Sequence, residues 1–375
     1  MVTNELDRAL ALLDEWVGPR GVNGAAAVVW ARGEVVAERY AGEARPGVPV
    51  AAETLFALAS VTKPITAATV MTLVEAGLLA LDEPVVRLVS EFGARIAGDD
   101  VDPALEALRP GVTVRHLLAH LSGLPEDLAP RHLRYADRAD LATITDAMSR
   151  LPLQSAPGVE LRYSNAGYAI LARIVERLTG EPFWQVARRR VLAPLGLDDV
   201  VAAPGPELAA RIALVSGATH AGTELETYNA PYWRGLALPW GGLFGTPRDV
   251  ARFAASFLPH GPRLLAPPTV ALMTGDQAEG VPGGIESGKV RWRVAHWGLG
   301  WEIKGTKRRH WTGDLTSPRT FCHFGQAGTL VWGDPTQDVA LAVFTNRTVA
   351  HHWTFILGRW ARLSNAVVAA ASRLA

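Results

Sequence analysis

Ser60 and Lys63 are the residues in this chain whose types and spacing most directly suggest chemistry. Residues three apart on a helix share a face, so the Lys63 amine can reach back to the Ser60 hydroxyl. Pro64 follows at once, and proline is accepted only in the first turn of a helix, which places the helix start close to Ser60. The free N–H groups at that start would meet an oxyanion formed at Ser60. A nucleophile and its base fit this pattern, although an S-x-x-K tetrad also arises by chance.

Lys63 is unusual in a chain that otherwise uses arginine as its cation. Of 37 basic residues only four are lysine. An arginine keeps its proton near neutrality, whereas a desolvated lysine can release it. Lysine at this position therefore favours a role in proton transfer.

Two further segments extend the candidate site. Tyr163-Ser164-Asn165 is the only Y-x-N in the chain, and a tyrosine beside a lysine could shuttle protons. Near the C-terminus, residues 320–325 read as a strand that ends in His323-Phe324-Gly325, and residues 329–332 read as the next strand.

The order S-x-x-K, Y-x-N and then a strand ending in a basic residue, any residue and glycine resembles the serine hydrolases related to class C β-lactamases. That family includes DD-peptidases, D-aminopeptidases and β-lactamase-like carboxylesterases. Supporting stretches stand at 117–125 (LLAHLSGLP), 242–253 (GLFGTPRDVARF) and 344–347 (FTNR), so the likeness covers nearly the whole chain.

The resemblance implies a role for each motif residue. Ser60 would be the acyl-accepting nucleophile, Lys63 and Tyr163 would activate it together, and Asn165 would hydrogen-bond the substrate. The backbone N–H groups of Ser60 and Gln326 would form the oxyanion hole. At the third motif the sequence departs from the Lys-Thr-Gly of many β-lactamases, and His323 and Gly325 stand there instead. A neutral imidazole offers only a hydrogen bond, which argues against tight binding of a β-lactam carboxylate. Glycine at 325 would let a bound acyl group pass close to the strand.

The implied fold is α+β and β-lactamase/transpeptidase-like. It has an antiparallel sheet flanked by helices, an inserted mainly helical lobe, and the active site in the cleft between them. Residues 1–375 would form a single domain, with about 1–58 and 290–375 in the α/β lobe and about 59–289 in the helical lobe.

Local patterns give the elements of this arrangement. We expect a helix over 4–17, a hairpin of strands 25–32 and 35–40, and strands at 297–303, 320–325, 329–332 and 339–345. The strands from the two ends would pair in one sheet. The Pro/Gly-rich region 258–288 is interpreted as a loop.

Composition limits the functions that remain. With 37 basic and 37 acidic residues the formal net charge is zero, which gives no electrostatic case for nucleic acid or an anionic membrane as partner. The N-terminal residues suggest an acidic amphipathic helix rather than a signal peptide, so we expect a cytoplasmic protein, although a removed export signal would leave the same chain. Cys322 is the only cysteine and excludes an internal disulfide.

Competing sites are weaker. His116 and His120 share a helical face and could bind zinc, but the adjoining residues are leucines, so we expect a structural role and neither metal nor cofactor. Trp297 and its neighbouring tryptophans could line an acyl pocket, but packing of the sheet is favoured.

The sequence therefore predicts a metal-free serine hydrolase whose partner is a small-molecule ester or amide. A carboxylesterase on small or medium acyl esters is preferred. A D-stereospecific aminopeptidase or amidase and a weak β-lactamase are alternatives, because the same acylation residues serve all three. A binding protein that kept the cleft and lost turnover is an alternative of another class.

Overall fold

Strands from the two ends of the chain form the main sheet. The structure, a computed structural model, describes residues 2–94, 101–129, 131–133, 135–350 and 353–374. Its strands in chain order are β1 (Gly24–Ala31), β2 (Glu34–Arg45), β3 (Val48–Pro49), β4 (Phe56–Ala57), β5 (Leu161–Arg162), β6 (Val200–Ala202), β7 (Leu243–Gly245), β8 (Gly283–Ile285), β9 (Val290–Trp292), β10 (Glu302–Ile303), β11 (Phe321–Gly325), β12 (Thr329–Asp334) and β13 (Val339–Thr345).

The main sheet is antiparallel and has the order β10-β11-β12-β13-β1-β2-β3. Ala25 lies opposite Thr345, and His323 lies opposite Val331. The expected pairing of the two chain ends in one sheet is confirmed. Two smaller sheets, β4-β7-β6 and β5-β8-β9, lie outside it.

Helices occupy most of the middle of the chain. They are α1 (Val2–Leu10), α2 (Thr62–Glu75), α3 (Val85–Leu88), α4 (Pro103–Glu106), α5 (Val114–Leu118), α6 (Leu141–Ser149), α7 (Asn165–Thr179), α8 (Phe183–Ala187), α9 (Pro231–Leu236), α10 (Pro247–Ala255), α11 (Pro267–Thr274) and α12 (Trp353–Ala371). The expected α+β class is confirmed by these helices and antiparallel sheets, whereas the division of one domain near 58 and 289 stays a prediction.

Side-chain alternation on β11 shows which helices cover the two faces of the sheet. Successive strand residues point to opposite faces. Phe321 contacts Phe257, just after α10, whereas Phe324 contacts Trp360 on α12. His323 therefore lies on the face of the sheet that α10 covers, and the buried Cys322 lies on the face that α12 covers.

Three local expectations need correction. The helix predicted over 4–17 is α-helical only over Val2–Leu10 and continues as a 3₁₀ helix over Ala11–Trp16. The strand predicted at 297–303 shortens to Glu302–Ile303, because Gly300 has a φ of 92° that a regular strand does not adopt. The loop predicted over 258–288 contains α11, whose prolines stand in the first helical turn, where they favour a helix.

Candidate active site

Ser60 lies on a short 3₁₀ turn, Ala59–Val61, that leads directly into α2. The preceding Ala59 has a φ of 46°, a left-handed conformation that an alanine adopts only when its surroundings enforce it. Ser60 itself is partly exposed, whereas most of α2 is buried. The turn thus presents one hydroxyl at the end of a buried helix.

The Lys63 amine contacts three oxygen atoms. Its Nζ lies 3.2 Å from Ser60 Oγ, 2.7 Å from Asn165 Oδ1 and 2.8 Å from the Trp240 carbonyl oxygen. The amide and carbonyl oxygens can only accept hydrogen bonds, so they take the two N–H groups of a neutral amine. The remaining lone pair is then left for the Ser60 O–H.

The surroundings of Lys63 favour this neutral form. The side chain is completely buried, and burial lowers the pKa of Lys63 to about 7, while the carboxylates of Glu126 and Asp127 act in the opposite direction. Desolvation therefore outweighs two nearby anions. An amine with this pKa can accept a proton near neutral pH.

Asn165 is oriented by a second contact. It is the first residue of α7, and its Nδ2 donates to Asp127 Oδ2 at 3.0 Å. Because a carboxylate only accepts, this contact fixes which end of the Asn165 amide faces Asp127 and leaves Oδ1 for Lys63. Ser164 caps the same helix by accepting from the Gly167 N–H.

The Tyr163 ring lies under the Lys63 amine. Lys63 Nζ is 4.7 Å from the ring centroid, and the tyrosine is buried. Burial raises the pKa of Tyr163 well above its usual value, although the nearby Ser60 hydroxyl partly opposes this. Within the described ranges the Tyr163 hydroxyl has no hydrogen-bond partner of ordinary geometry, which leaves it available.

His323 approaches the site from β11. Its ring centroid is 6.0 Å from that of Tyr163, and its Nδ1 lies 2.8 Å from the Phe324 carbonyl oxygen. Burial and the Lys63 charge lower the pKa of His323 to about 3, so the imidazole is neutral. A carbonyl oxygen only accepts, so Nδ1 carries the proton and Nε2 is an acceptor.

Gly325 brings the sheet edge against the turn that holds Ser60. A Cβ at this position would lie 2.3 Å from the Leu58 carbonyl oxygen and 3.1 Å from the Ala59 Cβ. Glycine is therefore required by the protein's own packing, and the expected passage of an acyl group beside it stays a prediction. Gln326 follows Gly325 directly in the chain, and its role in an oxyanion hole stays a prediction.

Three groups that interact with Lys63 lie outside the predicted motifs: the carboxylates of Glu126 and Asp127 and the backbone carbonyl of Trp240. Glu126 and Asp127 follow the predicted 117–125 stretch directly, but no spacing rule linked them to Lys63. Trp240 contributes a backbone carbonyl, which has no signature in residue type.

The candidate metal ligands have other contacts. Thr113 caps α5, and His116 Nδ1 accepts from the Thr113 N–H at 3.1 Å in the same capping box. His120 Nδ1 accepts from the Ser164 N–H at 2.9 Å. Elsewhere Glu302, His310 and Cys322 have ligand atoms within 4.8 Å of one another, all buried. Lys307 Nζ donates to Glu302 Oε1 at 2.8 Å, so an internal cation already balances that carboxylate.

Comparison with known proteins places this site in a family. A family model described as Beta-lactamase matches residues 10–356. The chain therefore belongs to the β-lactamase family of serine hydrolases, as its motifs predicted.

Individual relatives carry different names. Penicillin-binding protein 4 of Amycolatopsis lactamdurans is 35% identical over 265 residues, which are 68% of this chain and 64% of that protein. Esterase EstB of Burkholderia gladioli is 39% identical over 202 residues, 50% of this chain and 49% of that protein. The matches thus span less than two thirds of either relative. A solved structure of a β-lactamase from Mycobacterium bovis is 30% identical with a TM-score of 0.68, covering 97% of this chain and 99% of that one.

In the described part of the chain, no helix combines the length and apolar character that crossing a membrane requires.

Proposed function

We propose that this protein hydrolyses carboxylic esters with small or medium acyl groups through an acyl-enzyme on Ser60. The observation that carries the proposal is the contact of a fully buried Lys63 amine, with a pKa of about 7, with the Ser60 hydroxyl. An activated nucleophile needs a base within hydrogen-bond reach whose pKa suits the working pH.

The reaction follows from these contacts. The Lys63 lone pair takes the Ser60 proton as Oγ attacks the ester carbonyl, and the backbone N–H groups of Ser60 and Gln326 stabilise the oxyanion. The C–O bond to the alcohol then breaks, and the alcohol leaves with a proton passed from Lys63 through the Tyr163 hydroxyl. Water attacks the acyl-enzyme with the same groups acting as base, which releases the acid and restores Ser60.

Esters are preferred over β-lactams because of His323. Its Nε2 presents a lone pair rather than a proton, and a carboxylate on the substrate would find an acceptor there instead of a donor. An ester without a carboxylate meets no such mismatch. The name of the relative EstB agrees with this preference.

A labelling experiment tests the proposal. The wild-type chain and the Ser60→Ala variant are treated with a fluorophosphonate, their intact masses are measured, and hydrolysis of p-nitrophenyl acetate and butyrate is followed. We expect one adduct and ester turnover in the wild type and neither in the variant, with equal circular dichroism spectra. An unlabelled wild type would indicate the non-catalytic binding protein, and turnover that survives in Ser60→Ala would remove Ser60 as nucleophile.

A further inference from the structure

Two cavities with different linings include residues of the candidate site. One, of about 470 Å³, is lined by Tyr163 and by charged side chains that include Glu126, Arg162 and Lys289. The other, of about 270 Å³, is lined mainly by apolar side chains. Those side chains include Leu128, Leu133, Ile144, Met148, Leu236 and Leu238.

The apolar cavity is linked to Lys63 and Asn165 through two of its wall residues. Trp240 forms part of its wall and also accepts the hydrogen bond from Lys63 Nζ. Asp127 lines its polar end and holds Asn165. The Tyr232 hydroxyl in the wall donates to the Ala139 carbonyl, so this polar atom is already bonded. Apart from the indoles of Trp233 and Trp240, the remaining side chains of the wall carry no N–H or O–H group and offer hydrophobic contact.

The direction of proton transfer decides which part of an ester enters which cavity. The group that removes the nucleophile's proton later returns one to the leaving alcohol. In the proposed mechanism that path runs through Tyr163, which lines the polar cavity. The alcohol therefore leaves on the polar side, and the acyl group stays on the side of Trp240.

We infer that the apolar cavity is the acyl pocket and that it binds an unbranched hydrocarbon chain of medium length. This inference rests on the proposed function. A methylene group occupies about the volume of one water molecule, about 30 Å³, so a cavity of 270 Å³ holds a chain of at most about nine carbons. Each methylene buried there should raise kcat/KM roughly fourfold until the cavity is full.

Matched variants test the pocket. The p-nitrophenyl esters from acetate to dodecanoate are compared in the wild type, in Ile144→Phe, which narrows the cavity, and in Leu236→Ala, which widens it. Leu272→Phe, at an exposed position of α11 outside both cavities, is the control. We expect a wild-type optimum near hexanoate or octanoate. It should move to shorter chains in Ile144→Phe and to longer chains in Leu236→Ala, whereas the control should keep the wild-type optimum. Opposite shifts cannot come from a general loss of folding.

Two results overturn the inference while the proposed function stands. In the first, Ser60 is labelled by the fluorophosphonate and the acetate ester is hydrolysed, but kcat/KM does not depend on acyl length. The other is a length dependence that appears instead with acetates of alcohols from ethanol to octanol, which would make the cavity an alcohol pocket.

Binding without turnover separates the inference from the mechanism. Calorimetry with octanamide and the Ser60→Ala variant should show binding that Ile144→Phe, introduced into the same variant, weakens at least tenfold. Equal binding by both proteins also overturns the inference, whether or not Ser60 is a nucleophile.

Discussion

Replacement of Lys63 by methionine should change how the stability of this protein depends on pH. The substitution keeps an unbranched side chain in a fully buried position and removes the titrating group. Burial lowers the pKa of Lys63 from 10.5 to about 7. Below about pH 7 the lysine is charged in both the folded and the unfolded chain. Between these two pKa values the unfolded chain holds a proton that the folded chain has released, so stability rises with pH.

The magnitude follows from the shift in pKa. A difference between 10.5 and about 7 corresponds to about 5 kcal/mol over the whole range. Between pH 7.5 and 9.5 the free energy of unfolding of the wild type, relative to Lys63→Met, should rise by about 3 kcal/mol, or about 1.4 kcal/mol per pH unit. The stabilisation is present at high pH and is lost as the pH falls through about 7. At any one pH, the difference in unfolding free energy between the two proteins also includes the cost of leaving Asn165 Oδ1 and the Trp240 carbonyl without their donor. The slope of this difference against pH is therefore the informative quantity.

Urea unfolding at four pH values in this range, followed by circular dichroism, measures the slope. Lys289→Met, at an exposed lysine, is the matched control for the replacement of a lysine by methionine. Most carboxyl groups titrate below this pH range, and their contribution to the unfolding free energy cancels between wild type and variant. A difference between wild type and Lys63→Met that stays constant with pH would show that Lys63 remains charged in the folded state. It would then be unable to act as the base, and the reasoning about Ser60 activation would be refuted.

Two further predictions concern the residues around Ser60. Asp127→Asn should lower kcat/KM with p-nitrophenyl butyrate about tenfold or more, because an asparagine side chain can accept or donate a hydrogen bond and no longer fixes the orientation of the Asn165 amide. Asp338→Asn on the β12–β13 turn is the control. An unchanged kcat/KM in Asp127→Asn would contradict the orienting role of Asp127. Gly325→Ala should lower the free energy of unfolding by about 1–3 kcal/mol, measured by urea unfolding, and abolish ester turnover, because its Cβ would lie 2.3 Å from the Leu58 carbonyl oxygen. Gly358→Ala on α12 meets nothing within 4 Å and should be neutral or slightly stabilising; equal stability of the two variants would show that the close packing at Gly325 is unimportant.

The proposed nucleophile and base could be predicted from sequence because their contact is local. Ser60 and Lys63 are three residues apart, and helix geometry alone brings them together. The strands of the main sheet were equally readable, since β13 has an apolar run bounded by turn residues. What these patterns predict is a relation between near neighbours in the chain.

Other parts of the site depend on tertiary structure. Asp127 reaches Asn165 across 38 residues, and Trp240 contributes its backbone carbonyl from 177 residues away. The walls of the apolar cavity come from α6, α9 and neighbouring loops, whose residues resemble ordinary core residues in sequence. Side-chain type alone does not distinguish a core position from a pocket wall. Family motifs could therefore indicate where the reacting residues lie, but not the length of the acyl chain that the cavity binds.

The pairing of β1 with β13 also sets the order in which the site can be completed. Ala25 and Thr345 lie opposite each other although they are 320 residues apart, so the sheet closes only after nearly the whole chain has been synthesised. Ser60 is made early, but β11, which packs Gly325 against its turn, is made late. Contacts of such long range form slowly. A nascent or truncated chain thus carries Ser60 without the strand that packs against its turn, and the proposed esterase activity should arise only with the finished fold.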